Sequence, residues 1–210
     1  MLKHGKQFVA GTHDGYVAWL GLVLSYLLLA RASELFSYDD GGVHAEFCLL
    51  RSDLTFFDEH GRVLPWHLRD SAVEVEVNFR ASKADQQRRG AKVRQRGLCL
   101  DVIRQLIRVA PGLPMNSPLV TNKTGKTVTR RKGTTVLRQM VKALGDQSDA
   151  QQYALHSGRI GGATALAAAG LSDAAIMAAG RWKSLAFMVY VRPNSGDSRA
   201  VAAALTTMQH

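Results

Sequence analysis

His156 and Arg159 stand three residues apart at the head of "HSGRIGGATALAAAG", residues 156 to 170. On a helix that spacing puts an imidazole and a guanidinium on one face. The glycine and alanine behind them let such a helix pack closely against its neighbours, so the pair would be held rigidly toward an anionic or reactive group. Further on, "AAGRWKSLAFMVYVR" (178–192) supplies Trp182, whose indole N–H is a neutral donor, and Tyr190, a phenol one or two turns into the next predicted helix.

The elements that must carry these groups follow from the pattern of the chain. An apolar segment at 15–30 reads as a buried helix and is followed by a short helical turn carrying "RASELF". The uncharged run inside it, Tyr16 to Ala30, is shorter than the roughly 20 apolar residues that span a bilayer, so neither a membrane anchor nor a signal peptide is expected. The middle changes character. "LTFF" (54–57), "AVEVEVNF" (72–79) and "AKVRQRGL" (91–98) show β-branched enrichment or alternation and predict a small antiparallel sheet, its second turn being "RASKADQQRRG". Helical signals return at 99–109, 131–144 and 158–169, with Gly170 as a stop. Ser172 is a predicted N-cap for 173–179 and Ser184 for a helix running toward Pro193. The fold class expected is α+β, mainly helical, with the sheet on one edge.

The chain has 210 residues, a formal net charge of +10 and 46% hydrophobic residues, which is globular composition with a polyanion as the natural partner. The charge is uneven. From Glu34 to Glu59 there are seven acids against Arg51, whereas Arg80 to Arg108 holds nine bases against two acids, and Lys123 to Lys142 holds seven bases and no acid. Two basic runs in succession point to nucleic acid. Arg80, Arg88, Arg89, Lys92, Lys123, Arg130, Arg131 and Lys132 are the candidate backbone contacts. Cys48 and Cys99 lie far apart without metal-ligand spacing, which suggests two free thiols in a reducing compartment rather than a disulfide or a zinc site.

Residues 156–192 resemble the C-terminal motif region of the tyrosine recombinases, the phage-integrase family, and most closely its Cre-like branch. That branch has a His-Ser-x-Arg opening, a Trp where most members place a second His, and a Tyr eight residues beyond it. The family's first arginine sits in an Arg-x-x-Glu-Leu turn after an apolar helix, matched here by Arg31 and Glu34 in "LLLARASELF". Its lysine lies in a β-hairpin turn, where Lys83 stands in "FRASKADQQRRG". The resemblance runs from about residue 15 to 192. It implies a catalytic set of Arg31, Glu34, Lys83, His156, Arg159, Trp182 and Tyr190. It also implies DNA strand breakage and rejoining through a 3′-phosphotyrosine, as in site-specific recombination or the integration of a mobile element.

The chemistry of a phosphodiester explains why those residue types belong together. Attack builds charge on the non-bridging oxygens, and fixed donors must be aimed at it. Arg31 and Arg159 would bring permanent positive charge in a planar fork, Trp182 a neutral donor, and His156 a donor or a proton acceptor. Tyr190, whose phenol has an ordinary pKa of about 10, would attack as its proton is drawn off. By the resemblance Lys83 protonates the leaving 5′ oxygen, while Glu34 supports Arg31 or a nearby His. No metal and no cofactor is expected.

Double-stranded DNA is the expected partner, with a homotetramer formed on it and no membrane association. Residues 1–192 would be the catalytic domain and 193–210 a tail helix exchanged between protomers. The family's N-terminal core-binding domain, which clamps the other face of the duplex, is expected to be absent. The acidic segment between Arg31 and Lys83 is expected to face away from DNA, in an intracellular, DNA-associated protein. A DNA-binding remnant without catalysis and a type IB topoisomerase are the alternative readings.

Overall fold

The structure is a computed structural model that describes residues 12–38, 47–80, 90–144, 149–189 and 191. Its centre is helix α1 (His13–Leu27), opened by the Thr12 side chain, which accepts the Gly15 N–H at 3.1 Å. Val17, Ala18, Trp19, Leu20, Leu22 and Leu24 are all buried, so this helix is apolar around most of its circumference rather than along one stripe. Such a helix must be wrapped. It packs against three others: α3 (Leu98–Val109), α4 (Arg130–Ala143) and α5 (His156–Ala168). Among the described residues no helix is long and apolar enough to cross a membrane.

A short helix, α2 (Ala32–Leu35), follows α1 directly. The sheet comes next as β1 (Leu54–Phe57), β2 (Val63–Leu64), β3 (Glu74–Phe79) and β4 (Ala91–Arg96), antiparallel throughout in the order β2-β1-β3-β4. The three predicted strands are present. The two-residue β2 is too short to leave a pattern in the sequence. Val75, Val77 and Phe79 of β3 point into the main core with Leu54 and Phe56 of β1. Burying each such side chain contributes about 1.5–3 kcal/mol.

The register Glu74↔Arg96, Glu76↔Arg94 and Asn78↔Lys92 lays the acids of β3 directly beside the bases of β4. Arg96 Nε meets Glu74 at 2.7 Å, Arg94 bridges Glu74 and Glu76 at 3.1 and 3.2 Å, and Lys92 meets Glu76 at 3.0 Å. These contacts hold both carboxyls below their usual range, chiefly through the Arg96 hydrogen bond on Glu74 and the Lys92 one on Glu76. Charged side chains along an exposed edge also discourage pairing with a second sheet.

After α5 the chain turns at Gly170 (φ +79°), and Ser172 caps α6 (Asp173–Gly180) by accepting the Ala175 N–H at 3.3 Å. The segment expected to form a helix from Ser184 instead shows a 3₁₀ turn at Leu185–Val189. Phe187 enters a small second core with Leu29, Ala163 and Ile176, while Leu185, Met188 and Val189 stay exposed. Cys48 and Cys99 are buried free thiols, each pushed up to about 12 by burial.

Close approach of α5 to α1 depends on glycine. A Cβ on Gly162 would lie 2.5 Å from the Tyr26 carbonyl oxygen, whereas one on Gly161 would meet only the Tyr26 ring at 3.6 Å. Gly162→Ala is therefore expected to lose about 1–3 kcal/mol of stability by forcing the helices apart. Gly161→Ala should be neutral or stabilising, by up to about 1 kcal/mol from helix propensity. Urea unfolding of the two variants checks the contrast.

Candidate active site

The site is built where α1 ends. Leu28 caps the helix and Leu29 takes a left-handed backbone (φ 46°), with the Ala30 N–H returning to the Ser25 carbonyl at 3.0 Å. Glycine normally occupies such a position, since a side chain is strained there. The turn lifts the Leu29 carbonyl into the interior and sends the chain to Arg31. Arg31 precedes α2, and Glu34 reaches back: its Oε2 accepts the Arg31 backbone N–H at 2.7 Å and its Oε1 meets Arg31 Nη1 at 3.1 Å. That is the reach-back half of a capping box, used here to aim a guanidinium. The Glu34 side chain is 1% exposed and that of Arg31 25%.

Arg159 arrives from α5. It is buried, its Nη1 donates to the Leu29 carbonyl, and its Nη2 donates to the Gly180 carbonyl at 2.5 Å. Its guanidinium lies over the Trp182 ring, 4.2 Å from the centroid. A cation in that position is attracted by the negative face of the indole. Trp182 thus serves as a platform, a use of the ring that the expectation of a donor did not include. The platform requires a glycine beneath it, because a Cβ on Gly180 would lie 1.6 Å from a ring carbon.

His156 is the first residue of α5, exposed, and near enough to Arg159 and Arg31 to feel both charges. Partial burial, then the Arg159 charge, then the Arg31 charge hold its pKa below the ordinary 6.5. That shift favours the neutral imidazole, in which one nitrogen donates and the other accepts. Its two charged neighbours come from segments more than a hundred residues apart. Folding brings together Arg31, Glu34, His156, Arg159 and Trp182.

Sequence reasoning missed Arg181. It ends α6 in the left-handed conformation (φ 57°), and Leu29 and Arg181 are the non-glycine residues with positive φ among those described. Strained backbone of this kind persists where surrounding contacts over-determine it and gathers at functional sites. Arg181 Nη2 meets Glu34 Oε2 at 2.8 Å, Nη1 donates to the Leu28 carbonyl at 3.1 Å, and the guanidinium lies 3.5 Å from the Phe79 ring centroid. The available signal was an arginine directly before Trp182 with a buried glutamate elsewhere to pair with it, a pairing only the fold makes visible.

Lys83 and Tyr190 lie outside the described residues, as do Arg88, Arg89 and the tail from 192 onward. On either side of Tyr190, Val189 is 84% exposed while Val191 packs against the second core, and the Val191 N–H donates to the Met188 carbonyl at 3.2 Å. Among the described residues no group of His, Cys, Asp and Glu is placed to hold a metal ion.

The candidate DNA contacts divide by what they already hold. Arg80 meets Asp53 at 3.1 Å and donates to the Cys48 carbonyl at 2.7 Å, and Lys92 belongs to the ion-pair ladder of the sheet. Arg130, Arg131 and Lys132 occupy the first turn of α4, a turn without an acid, where Thr129 accepts the Lys132 N–H. Arg130 stacks on the Tyr38 ring at 3.8 Å, Arg131 is exposed, and Lys123 is exposed in the preceding turn. Of the acids expected to face away, Glu34 and Asp53 are buried and Asp58 is paired with Arg62 at 2.7 Å. Asp39, Asp40 and Glu46 lie outside the described residues.

No protein-family model matches the chain, and no curated protein matches it. Solved structures do. The chain is similar to the XerH site-specific recombinase bound to a palindromic difH substrate in a post-cleavage complex, with 13% identity and a TM-score of 0.65 over 96% of this chain and 50% of that one. It is also similar to the Tn1549 transposon integrase in complex with circular intermediate DNA, with 13% identity and a TM-score of 0.54 over 96% of this chain and 63% of that one. The chain spans about half the length of the first and under two thirds of the second. The mainly helical architecture with its small antiparallel sheet is the tyrosine recombinase catalytic fold, as expected.

The electrostatics of His156 give a direct check. In an ¹⁵N NMR titration its midpoint is expected below 6.5 and should rise in Arg31→Gln, which removes one of the two charges facing it. Because the folded protein then binds fewer protons than the unfolded one, His156 costs stability as pH falls below about 6.5, and His156→Gln removes that component of acid sensitivity.

Proposed function

We propose that the chain cuts and rejoins DNA through a 3′-phosphotyrosine formed by Tyr190, in site-specific recombination or integration of a mobile element. The observation that carries this reading is the convergence of Arg31, His156 and Arg159 beside the Leu29 turn, in a fold shared with DNA-bound recombinase and integrase structures. Arg31 and Arg159 hold the non-bridging oxygens of the scissile phosphate, Arg159 releasing the Gly180 carbonyl to do so, and His156 donates to it or takes a proton. Trp182 backs Arg159 and offers its indole N–H, the donor role that a Cre-like reading gives it. Lys83, which lies between β3 and β4 in the sequence, protonates the departing 5′ oxygen. Two guanidinium groups at the phosphate draw the phenol toward deprotonation as it attacks.

Several contacts fit a duplex as the partner. Three cations in the first turn of α4 oppose the positive end of the helix dipole, an arrangement that a phosphate at that end would relieve. Lys123 in the neighbouring turn extends the same surface. A tetramer on two duplexes, with residues 193–210 exchanged between protomers, completes the reading.

A nicked duplex that traps the covalent intermediate tests it. Wild-type protein should form the adduct and Tyr190→Phe should not, whereas an adduct in both would place the nucleophile elsewhere, and DNA binding without any adduct would favour a binding remnant. On the same duplex, Arg131→Ala is expected to reduce the slope of log K against log salt by about 1.

A further inference from the structure

We infer that Arg181 is a positioning residue for strand transfer, one that divides the Glu34 carboxylate so that Arg31 keeps its charge for the phosphate. The inference rests on the strand-transfer reading above and adds to it a residue outside the expected catalytic set.

A buried carboxylate beside a phosphate-binding arginine carries a cost. Paired with Arg31 alone, Glu34 would orient that guanidinium but cancel its field. The structure divides the carboxylate instead: Oε1 faces Arg31 Nη1 at 3.1 Å, while Oε2 takes Arg181 Nη2 at 2.8 Å together with the Arg31 backbone N–H at 2.7 Å. The unit Arg31, Glu34 and Arg181 therefore keeps a net charge of about +1 and still has a rigid geometry.

Arg181, unlike Arg159, gives a donor to the Glu34 carboxylate as well as to the carbonyls of Leu28 and Leu29, and that ion pair assigns it a supporting part. It shares the Leu29 carbonyl with Arg159, so one backbone oxygen joins Arg159 to the residue that supports Arg31. The charged and titratable groups facing this unit are Arg31 and Glu34 from the α2 turn and Arg159 and His156 from α5, with the Phe79 ring of β3 covering the guanidinium.

Charge restoration separates this role from simple packing. Arg181→Asn suits the left-handed backbone and removes the cation. Adduct formation on the nicked duplex should fall about tenfold, less than the 10²–10³ lost when a donor that touches the phosphate is removed. Adding Glu34→Gln to Arg181→Asn returns the unit's net charge to its original value and should recover most of that rate, although it removes a second native contact. The His156 NMR midpoint should rise in Arg181→Asn and return in the double variant. A double variant no faster than Arg181→Asn, or a His156 midpoint that does not move, overturns the inference. If wild-type protein forms no adduct, the strand-transfer reading fails by itself, and the His156 titration still decides whether Arg181 sets the charge of this pocket.

Discussion

The carbonyl oxygen of Leu29 accepts hydrogen bonds from Arg159 and Arg181, which come from 130 and 152 residues further along the chain. Everything at the site depends on that oxygen being where it is. It is lifted inward by a left-handed residue that is not glycine, at the end of a helix covered around most of its circumference. The helix supplies the rigidity, the strained turn supplies the acceptor, and two residues later the chain delivers Arg31. A guanidinium buried to 2% exposure needs such partners, because an unpaired charge at that depth costs several kcal/mol.

The packing around the turn explains two glycines, one on each side of it in the fold. Gly162 lets α5 approach the end of α1, and Gly180 lets Trp182 fold back under Arg159. Neither glycine is chemical, yet both set the distance between the arginines. The small second core of Leu29, Ala163, Ile176 and Phe187 joins the same pieces from the apolar side, with Trp182 and Phe187 rings 5.6 Å apart. The strained residue is thus both an acceptor on one face and a core residue on the other.

Much of this was legible in the sequence. The helices, three of four strands, the Gly170 stop and the Ser172 cap follow from local patterns that the tertiary structure supports. Glu34 was expected to support Arg31 or a nearby His, and its carboxylate meets Arg31. The charge runs were less informative, for a physical reason: a window of sequence counts only neighbours along the chain. Arg80 finds Asp53, Arg108 finds Asp70, and the three bases of β4 find Glu74 and Glu76, all outside the window that made the run look basic. Arg181 escaped for the same reason, since its partner Glu34 is 147 residues away. The expected helix after Ser184 became a 3₁₀ turn where Phe187 is drawn into the second core.

The proposed oxyanion site gathers Arg31, His156 and Arg159 around the Leu29 turn, with Arg159 leaving the Gly180 carbonyl as DNA enters. A crystal structure of the protein with a duplex carrying its cleavage site measures this most directly. A backbone phosphate is expected within about 3 Å of donors from Arg31 and Arg159, with His156 in contact and the Leu29 carbonyl still bonded to Arg159. A duplex bound elsewhere on the surface, with no phosphate near these side chains, would contradict it.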